Sequence, residues 1–281
     1  RYEGDGSDQP DHKSATKAIE LLQKHQAEQF FLAVGLVRPH YPMVAPQQYF
    51  DPYAWQKILL PPTIENDLLD VPKAGLAGTR NENNLIGQYP DNQKKMWTGY
   101  YASVAFMDAQ VGRIMNELER LGLRESTAVI FASDHGYHLG EHGFWQKSNL
   151  HEEVTRVPLI ISVPGVKPGR SRGLTELLDI FPTLSDLAGL KAPTSVQGKS
   201  LVPMLKDNDA SVRDSALSLN RDDYSIRTSN WALMRYADKS TELYDMQADP
   251  NQFTNLVDNS DYVETRNQLN AKLDARLKAA G

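Results

Sequence analysis

Cysteine is absent from this 281-residue chain. That excludes disulfides, thiolate metal sites and a cysteine nucleophile within these residues, and it does not fix a compartment. No Asn-x-Ser/Thr sequon occurs, so glycosylation supplies no argument. No run of eighteen apolar residues occurs, so no transmembrane helix is expected. The first residues, Arg1-Tyr-Glu-Gly-Asp-Gly-Ser-Asp8, hold no apolar signal-peptide core and no initiating Met. The chain is therefore expected to begin inside a longer gene product. A positive balance is lacking too: the net charge is −6. Nucleic acid and membrane surfaces are not expected partners, and an anionic substrate would have to be held by local cations.

What is present suits a folded domain. The apolar fraction of 40% is enough for a core. The length fits one large domain, or a domain with an appendage.

The stretch Ser133–Lys147 organises the rest. It follows the apolar run Thr127–Ala132 and places an Asp, three His, a Glu and a Lys within fifteen residues. Gly136, Gly140 and Gly143 punctuate it. A strand ending in Asp134-His135-Gly136 delivers two potential metal ligands to the C-terminal edge of a sheet, where open α/β folds bind ligands.

Before this stretch, Ser14 is a plausible N-cap for a helix over 15–25. Residues 30–37 (FFLAVGLV) form a nearly continuous apolar run, which suits a strand buried on both faces of a parallel sheet. It ends in Arg38-Pro39-His40-Tyr41-Pro42, so Arg38 and His40 are expected near a strand's C-terminal edge. Residues 43–90 are weakly periodic and read as a long excursion of functional interest. Asp91 is expected to cap a helix over 92–121, with Met96, Tyr100, Val104, Met107, Val111, Met115 and Leu118 at helical spacing.

After the motif, residues 157–164 read as another buried strand and 173–179 as a further one. Residues 181–189 read as a helix with Pro in its first turn and Gly at its end. Past about residue 205, 215–219, 224–228, 231–236 and 241–244 are β-prone and separated by turn residues, which predicts a small antiparallel sheet. A helix over 262–279 closes the chain. The expected class is α/β with a parallel sheet, divided into 1–205 and 206–281.

Asp134 and His135 could reach one cation if Gly136 lets the backbone turn sharply. Lys147, further along the same excursion, suits an oxyanion of sulfate or phosphate as a point charge. His40 could donate to an oxyanion or protonate a leaving group. Each alone is more often an ordinary surface residue; two strand ends that point cationic groups to one rim make them candidates together. His138, Glu141 and His142 read as ordering the loop. Tyr137 could line a substrate pocket or pack inside. Arg221-Asp222-Asp223 and Arg227 are weaker still.

With these residues in hand, the chain resembles the sulfatase family of the alkaline-phosphatase-like superfamily, closest to its iduronate-2-sulfatase branch. The likeness rests on 31–40 (FLAVGLVRPH), 101–112 (YASVAFMDAQVG), 133–147, 157–160 (VPLI), 181–183 (FPT), 224–228 (YSIRT), 242–245 (ELYD) and Asp249-Pro250. These span nearly the whole chain in the family's order. The resemblance implies an alkaline-phosphatase-like α/β sandwich with its leading strands missing, plus the small sheet and helix. It implies Asp134 and His135 as two calcium ligands. It implies sulfate-ester contacts from Lys147 and His40, with His40 near the leaving-group oxygen. The implied substrate is a sulfated carbohydrate, such as an iduronate-2-sulfate-like unit, or another sulfate ester, and the implied compartment is periplasmic, extracellular or lysosomal.

The departure is large. The family's paired acidic calcium ligands and its Cys/Ser-x-Pro-x-Arg motif, the source of formylglycine, do not occur here. Ser162-Val-Pro-Gly-Val166 has Val where Arg is needed. The chain thus looks like a C-terminal portion, inactive alone, whose partner is the missing N-terminal polypeptide of the same fold. Two rivals stand beside this reading. One is a metal-dependent phosphohydrolase or phosphomutase of the same superfamily, with zinc or manganese at Asp134 and His135. The other is a non-catalytic fragment with exposed sheet edges that self-associates.

Overall fold

The computed structural model describes residues 1–280. The chain divides into two compact units. One comprises Arg1–Pro61 and Asn81–Thr127; the other comprises Pro62–Arg80 with the chain from Ala128 onward.

The first unit is built on two helices, α1 (Pro10–His25) and α2 (Pro90–Arg120). Each carries Pro in its first turn, where the missing N–H costs nothing. Both helices therefore start earlier than expected. Gln9 and Tyr89 stand at the N-caps, and Ser14 and Asp91 lie inside. The buried stripe of α2 includes Thr98, Ala102, Phe106 and Gln110, at i, i+4 spacing. The larger Met and Val side chains beside that stripe are half-buried. Ala102 and Phe106 of that stripe pack with Ala45, Tyr49, Phe50 and Tyr53, while α1 buries Ala15, Ala18 and Leu22. Arg113 of α2 binds the His12 carbonyl (3.3 Å) and the Thr16 hydroxyl (2.9 Å) of α1.

Residues 30–37 correct the expectation of a buried strand. They form no strand among the described residues, and Phe31 is 76% exposed. An extended apolar run becomes a strand only beside a backbone partner, and none of the described residues supplies one. Its end is pinned instead by Asp11, a buried carboxylate in the first turn of α1. Asp11 accepts the Val37 N–H (2.7 Å) and the Arg38 N–H (3.0 Å).

In the second unit, β1 (Val129–Ala132) precedes a short hairpin of β2 (His138–Leu139) and β3 (Trp145–Gln146). The single-turn helix α3 (Glu152–Thr155) follows, then β4 (Leu159–Ser162). β1 pairs with β4 antiparallel, in the register Val129↔Ser162 to Ala132↔Leu159. The parallel pairing expected here is corrected: the excursion between the two strands returns the chain on itself, so no crossover helix is required. Neither strand is fully buried, and Ile160 is 61% exposed.

Residues 173–179 are not a strand either. Glu176 and Asp179 form a reciprocal capping box around a single 3-10 turn, Leu177–Asp179, ahead of α4 (Ile180–Leu187). Two carboxylates at this spacing satisfy turn amides in place of a ladder. Arg213, buried, grips both: its Nε meets Asp179 Oδ2 at 3.0 Å and one Nη meets Glu176 Oε2 at 2.6 Å. Arg276 also reaches Glu176 (2.6 Å).

After α5 (Val202–Lys206), four strands form an antiparallel meander. They are β5 (Ala216–Asn220), β6 (Asp223–Arg227), β7 (Trp231–Arg235) and β8 (Thr241–Asp245). The expected sheet is thus present. Alternation gives it two buried faces. One carries Ile226, Leu233 and Leu243 against Leu269 and Leu273 of α6 (Val263–Ala280). Each buried Leu or Ile there contributes about 1.5–3 kcal/mol. The other carries Ala232, Met234, Tyr236 and Tyr244 against Leu150. That second face adjoins the segment considered next.

Candidate active site

Past β1 the chain folds into a tight turn. The Ser133 hydroxyl donates to the His135 carbonyl (2.9 Å), and Asp134 Oδ1 accepts the His135 N–H (3.0 Å). The Asp134 side chain is left 86% exposed. His135 Nδ1 lies 2.8 Å from the Gly136 carbonyl oxygen. A carbonyl only accepts, so Nδ1 carries the proton and Nε2 is the bare nitrogen. Lys147 Nζ donates to that nitrogen at 2.7 Å. Asp134 Oδ2 stands 3.7 Å from it. A carboxylate, an imidazole lone pair and an ammonium therefore meet at one partly exposed rim, although twelve residues separate His135 from Lys147.

Gly136 makes this turn possible by close approach rather than by left-handed geometry. Its N–H donates to Val154 O (2.8 Å), and the Tyr137 N–H donates to Glu153 O (2.9 Å). A Cβ on Gly136 would overlap the Glu153 carbonyl and come within 3.1 Å of Val154 Cα. Tyr137 itself is half-buried.

Beneath the rim lies a buried polar cluster. His138, His142 and His151 are each at most 4% exposed. The Asn149 amide and His138 Nε2 are in hydrogen-bond reach, 2.7 Å between nitrogens. His142 Nδ1 binds Asp67 Oδ2 at 3.0 Å, across 75 residues of sequence. Glu153 places one carboxylate oxygen 4.0 Å from His138 Nδ1 and the other 4.0 Å from His142 Nε2. His151 Nε2 lies 3.4 Å from Glu242 Oε2, and Tyr236 and Tyr244 both donate their hydroxyls to Glu242.

The charges divide by environment. Burial, together with nearby His151, pushes His138 well below the ordinary histidine value. Burial opposes charge on His142 as well. The hydrogen bond to Asp67, with Glu153 and Glu141 close by, outweighs burial and raises its pKa. Glu242 is held below the carboxylate range: burial alone would raise it, but His151 and the two tyrosines prevail. Burial and the Glu242 charge drive both phenols upward.

Of the residues expected at one rim, Asp134, His135 and Lys147 come together, while among the described residues no strand leads to His40; His138 and His142, expected to order the loop, lie in the buried cluster. Sequence reading missed Asp67, Asn149, His151, Glu153 and Glu242. His151-Glu152-Glu153 continues the His- and Glu-rich pattern four residues past Lys147, which was a usable signal. Asp67 carried none, and Glu242, although it opens the ELYD stretch, carried no sign that it would meet His151; only folding brings them there.

His40 belongs to the first unit. It is exposed, and its Nδ1 donates to the Tyr41 carbonyl (2.6 Å), which leaves Nε2 for an external partner. Arg38 spans the same loop through the His40 (3.1 Å) and Pro42 (2.8 Å) carbonyls. Arg221 and Asp222 form the β5–β6 turn, with Arg221 at φ 58°. Arg227 is engaged with Glu152 (3.2 Å).

A cation fits this rim in part. Asp134 Oδ2 and His135 Nε2, 3.7 Å apart, are close enough to share an ion at calcium–ligand distances. Calcium prefers more oxygen donors than these two residues offer. Among the described residues no group of three or more His, Asp or Glu side chains is arranged to hold a metal. No helix among them is long and apolar enough to cross a membrane.

Solved structures define the class of fold. The phosphonate monoester hydrolase of Silicibacter pomeroyi superposes with a TM-score of 0.87 at 21% identity, covering all of this chain and 62% of that one. A protein solved in complex with its substrate D-glucosamine-2-N,6-O-disulfate gives 0.83 at 23% identity, covering 95% and 69%. The fold is the mixed α/β one that phosphonate ester hydrolases and sulfatases share. Within it, the chain belongs to the sulfatase family: the family model described as Sulfatase matches residues 2–190. A second model, N-sulphoglucosamine sulphohydrolase, C-terminal, matches residues 140–279. A sulfatase of Formosa agariphila is 32% identical over 94% of this chain and 53% of its own length. Human iduronate 2-sulfatase is 37% identical over 66% of this chain and 40% of its own. The chain spans about half the length of the curated relatives it matches.

Proposed function

We propose that this chain forms the C-terminal portion of a sulfuric ester hydrolase and supplies one wall of its active site. The observation that carries the reading is the meeting of Lys147 Nζ, His135 Nε2 and Asp134 Oδ2 at one rim. Asp134 and His135 would be two ligands of one calcium ion, which when bound would screen the charge of the ester oxygens. Lys147 would hold a sulfate oxygen as a point charge. For His40 the same reading gives a contact with the ester, near its leaving-group oxygen, and proton donation there. Tyr137 would line the substrate. The substrate class is a sulfated carbohydrate, with an iduronate-2-sulfate-like unit favoured by the likeness to human iduronate 2-sulfatase. Residues 1–205 would be the α/β core portion and 206–281 the small-sheet subdomain.

The nucleophile, expected as formylglycine, would come from polypeptide that precedes this chain. The exposed apolar run at Phe31, Val34 and Val37 supports such a partner, because it offers apolar surface for burial. Incubating the 281-residue chain with a chromogenic aryl sulfate and calcium tests this part: no turnover is expected, and robust turnover would overturn it.

A phosphohydrolase reading has one observation in its favour, the imidazole donor at the rim, which suits zinc or manganese better than calcium. Metal analysis of the purified protein separates the two.

A further inference from the structure

The hairpin that leads to Lys147 is closed by bonds of its own turn but has a short ladder. β2 and β3 share two residue pairs, His138↔Gln146 and Leu139↔Trp145. A ladder that short is marginal in water without outside support. Its turn and second strand are unusual as well. Gly140 (φ 114°), His142 (φ 58°), Gly143 (φ 66°) and Gln146 (φ 70°) all take positive φ, and His142 and Gln146 are not glycine. Surrounding structure must over-determine such a conformation for it to persist.

Two outside ties come from one distant segment, residues 62–80. Asp67 Oδ2 binds His142 Nδ1 at the turn (3.0 Å). The Thr79 hydroxyl donates to the Trp145 carbonyl, two residues before Lys147. The middle of the segment is fixed to the small-sheet side. The Asn255 N–H donates to Asp70 Oδ2 (2.9 Å), and the Asn255 amide donates to the Asp70 carbonyl (2.8 Å). Gly75 lies so close to Glu242 and Tyr236 that a Cβ would overlap the carboxylate and sit 2.8 Å from the phenol oxygen. The segment is thus anchored at its middle and reaches the hairpin at two points.

We infer that Asp67 and Thr79 are positioning residues: they hold the hairpin 138–147 so that Lys147 Nζ meets His135 Nε2. The inference rests on the reading of that pair as part of the site. The groups that face His142 are Asp67 from the segment, Glu141 from its own turn, Glu153 from α3, His138 from β2, and His151 at a ring-centroid distance of 5.1 Å. Of these, Asp67 makes the short hydrogen bond, and it alone belongs to neither the hairpin nor the segment that follows it.

The consequence appears in the tautomer of His135. Lys147 donates to Nε2 and so holds the proton on Nδ1. Imidazole 1H–15N spectra of the 281-residue chain at one fixed pH read this directly. Lys147→Met defines the spectrum without the donor. Asp67→Asn and Thr79→Val are each expected to move the His135 tautomer ratio at least about threefold toward that reference, a change well within the worth of one hydrogen bond. A purely structural role would lower the melting temperature and leave the ratio as it is. A folded Asp67→Asn chain with the wild-type His135 spectrum would overturn the inference. Should that variant fail to fold, Thr79→Val, which removes one hydroxyl, decides by the same criterion. No sulfate ester enters the measurement, so loss of the functional reading and loss of this inference are separate results.

Discussion

Lys147 Nζ lies 2.7 Å from His135 Nε2, the imidazole nitrogen that carries no proton. The ammonium thus occupies the lone pair that a cation at Asp134 and His135 would use, and it repels that cation as well. Removing it by Lys147→Met is expected to raise the calcium affinity of the isolated chain about tenfold, from Coulomb repulsion at a wet rim. Asp134→Asn is expected to lower it. Calorimetric titration reads both, and equal affinities in all three chains would show that the ion binds elsewhere.

Gly136 permits the closest backbone approach at the site. Gly136→Ala must push α3 away from the turn, because the new Cβ would overlap the Glu153 carbonyl. The expected cost is about 1–3 kcal/mol, as for other overpacked positions. Denaturant unfolding measures it.

Asp67 and His142 make stability depend on pH in a definite direction. The folded-state pKa of His142 is raised, so its contribution is complete below the ordinary histidine value. It is lost as pH rises through the folded value. The stability gap between wild type and Asp67→Asn is therefore expected to be widest near the acid end of the neutral range and to narrow toward alkaline pH. Urea unfolding across that range shows the trend, and a gap that widens with pH would contradict it.

Glu242 works in the opposite direction. Its folded pKa is depressed, so its contribution is present above the ordinary carboxylate value and is lost as pH falls through the folded one. Tyr236→Phe and Tyr244→Phe each remove a hydroxyl donor to a buried charge. Each is expected to cost about 1.5–3 kcal/mol, and to move acid unfolding to higher pH. Acid titration followed by circular dichroism checks the shift.

The sheet of β5 to β8 was legible because each strand alternates between turn residues, so period two identifies both the strand and its buried faces. The rim was legible because Asp134, His135 and Lys147 are close in sequence and the glycines mark the turns. Residues 30–37 misled because an apolar run reports a preference for burial and not the presence of a strand to pair with. The buried stripe of α2 misled because Ala102 and Phe106, packed with Ala45, are buried while the Met and Val side chains beside them stay half-buried. Glu176 and Asp179 cap their own turn locally, but the Arg213 and Arg276 that neutralise them arrive from later in the chain. The tie from Asp67 to His142 was invisible for the same reason.

The most direct test of the account uses a longer polypeptide that includes the region the relatives have and this chain does not span. Its turnover of an aryl sulfate and of the matching aryl phosphate would be compared, with and without Lys147→Met. The account predicts a preference for the sulfate ester. It also predicts a loss of about 10²–10³ in kcat in the Lys147→Met variant, the usual cost of one electrostatic contact to a reacting oxyanion. A preference for the phosphate, or a Lys147→Met enzyme as fast as wild type, would contradict it.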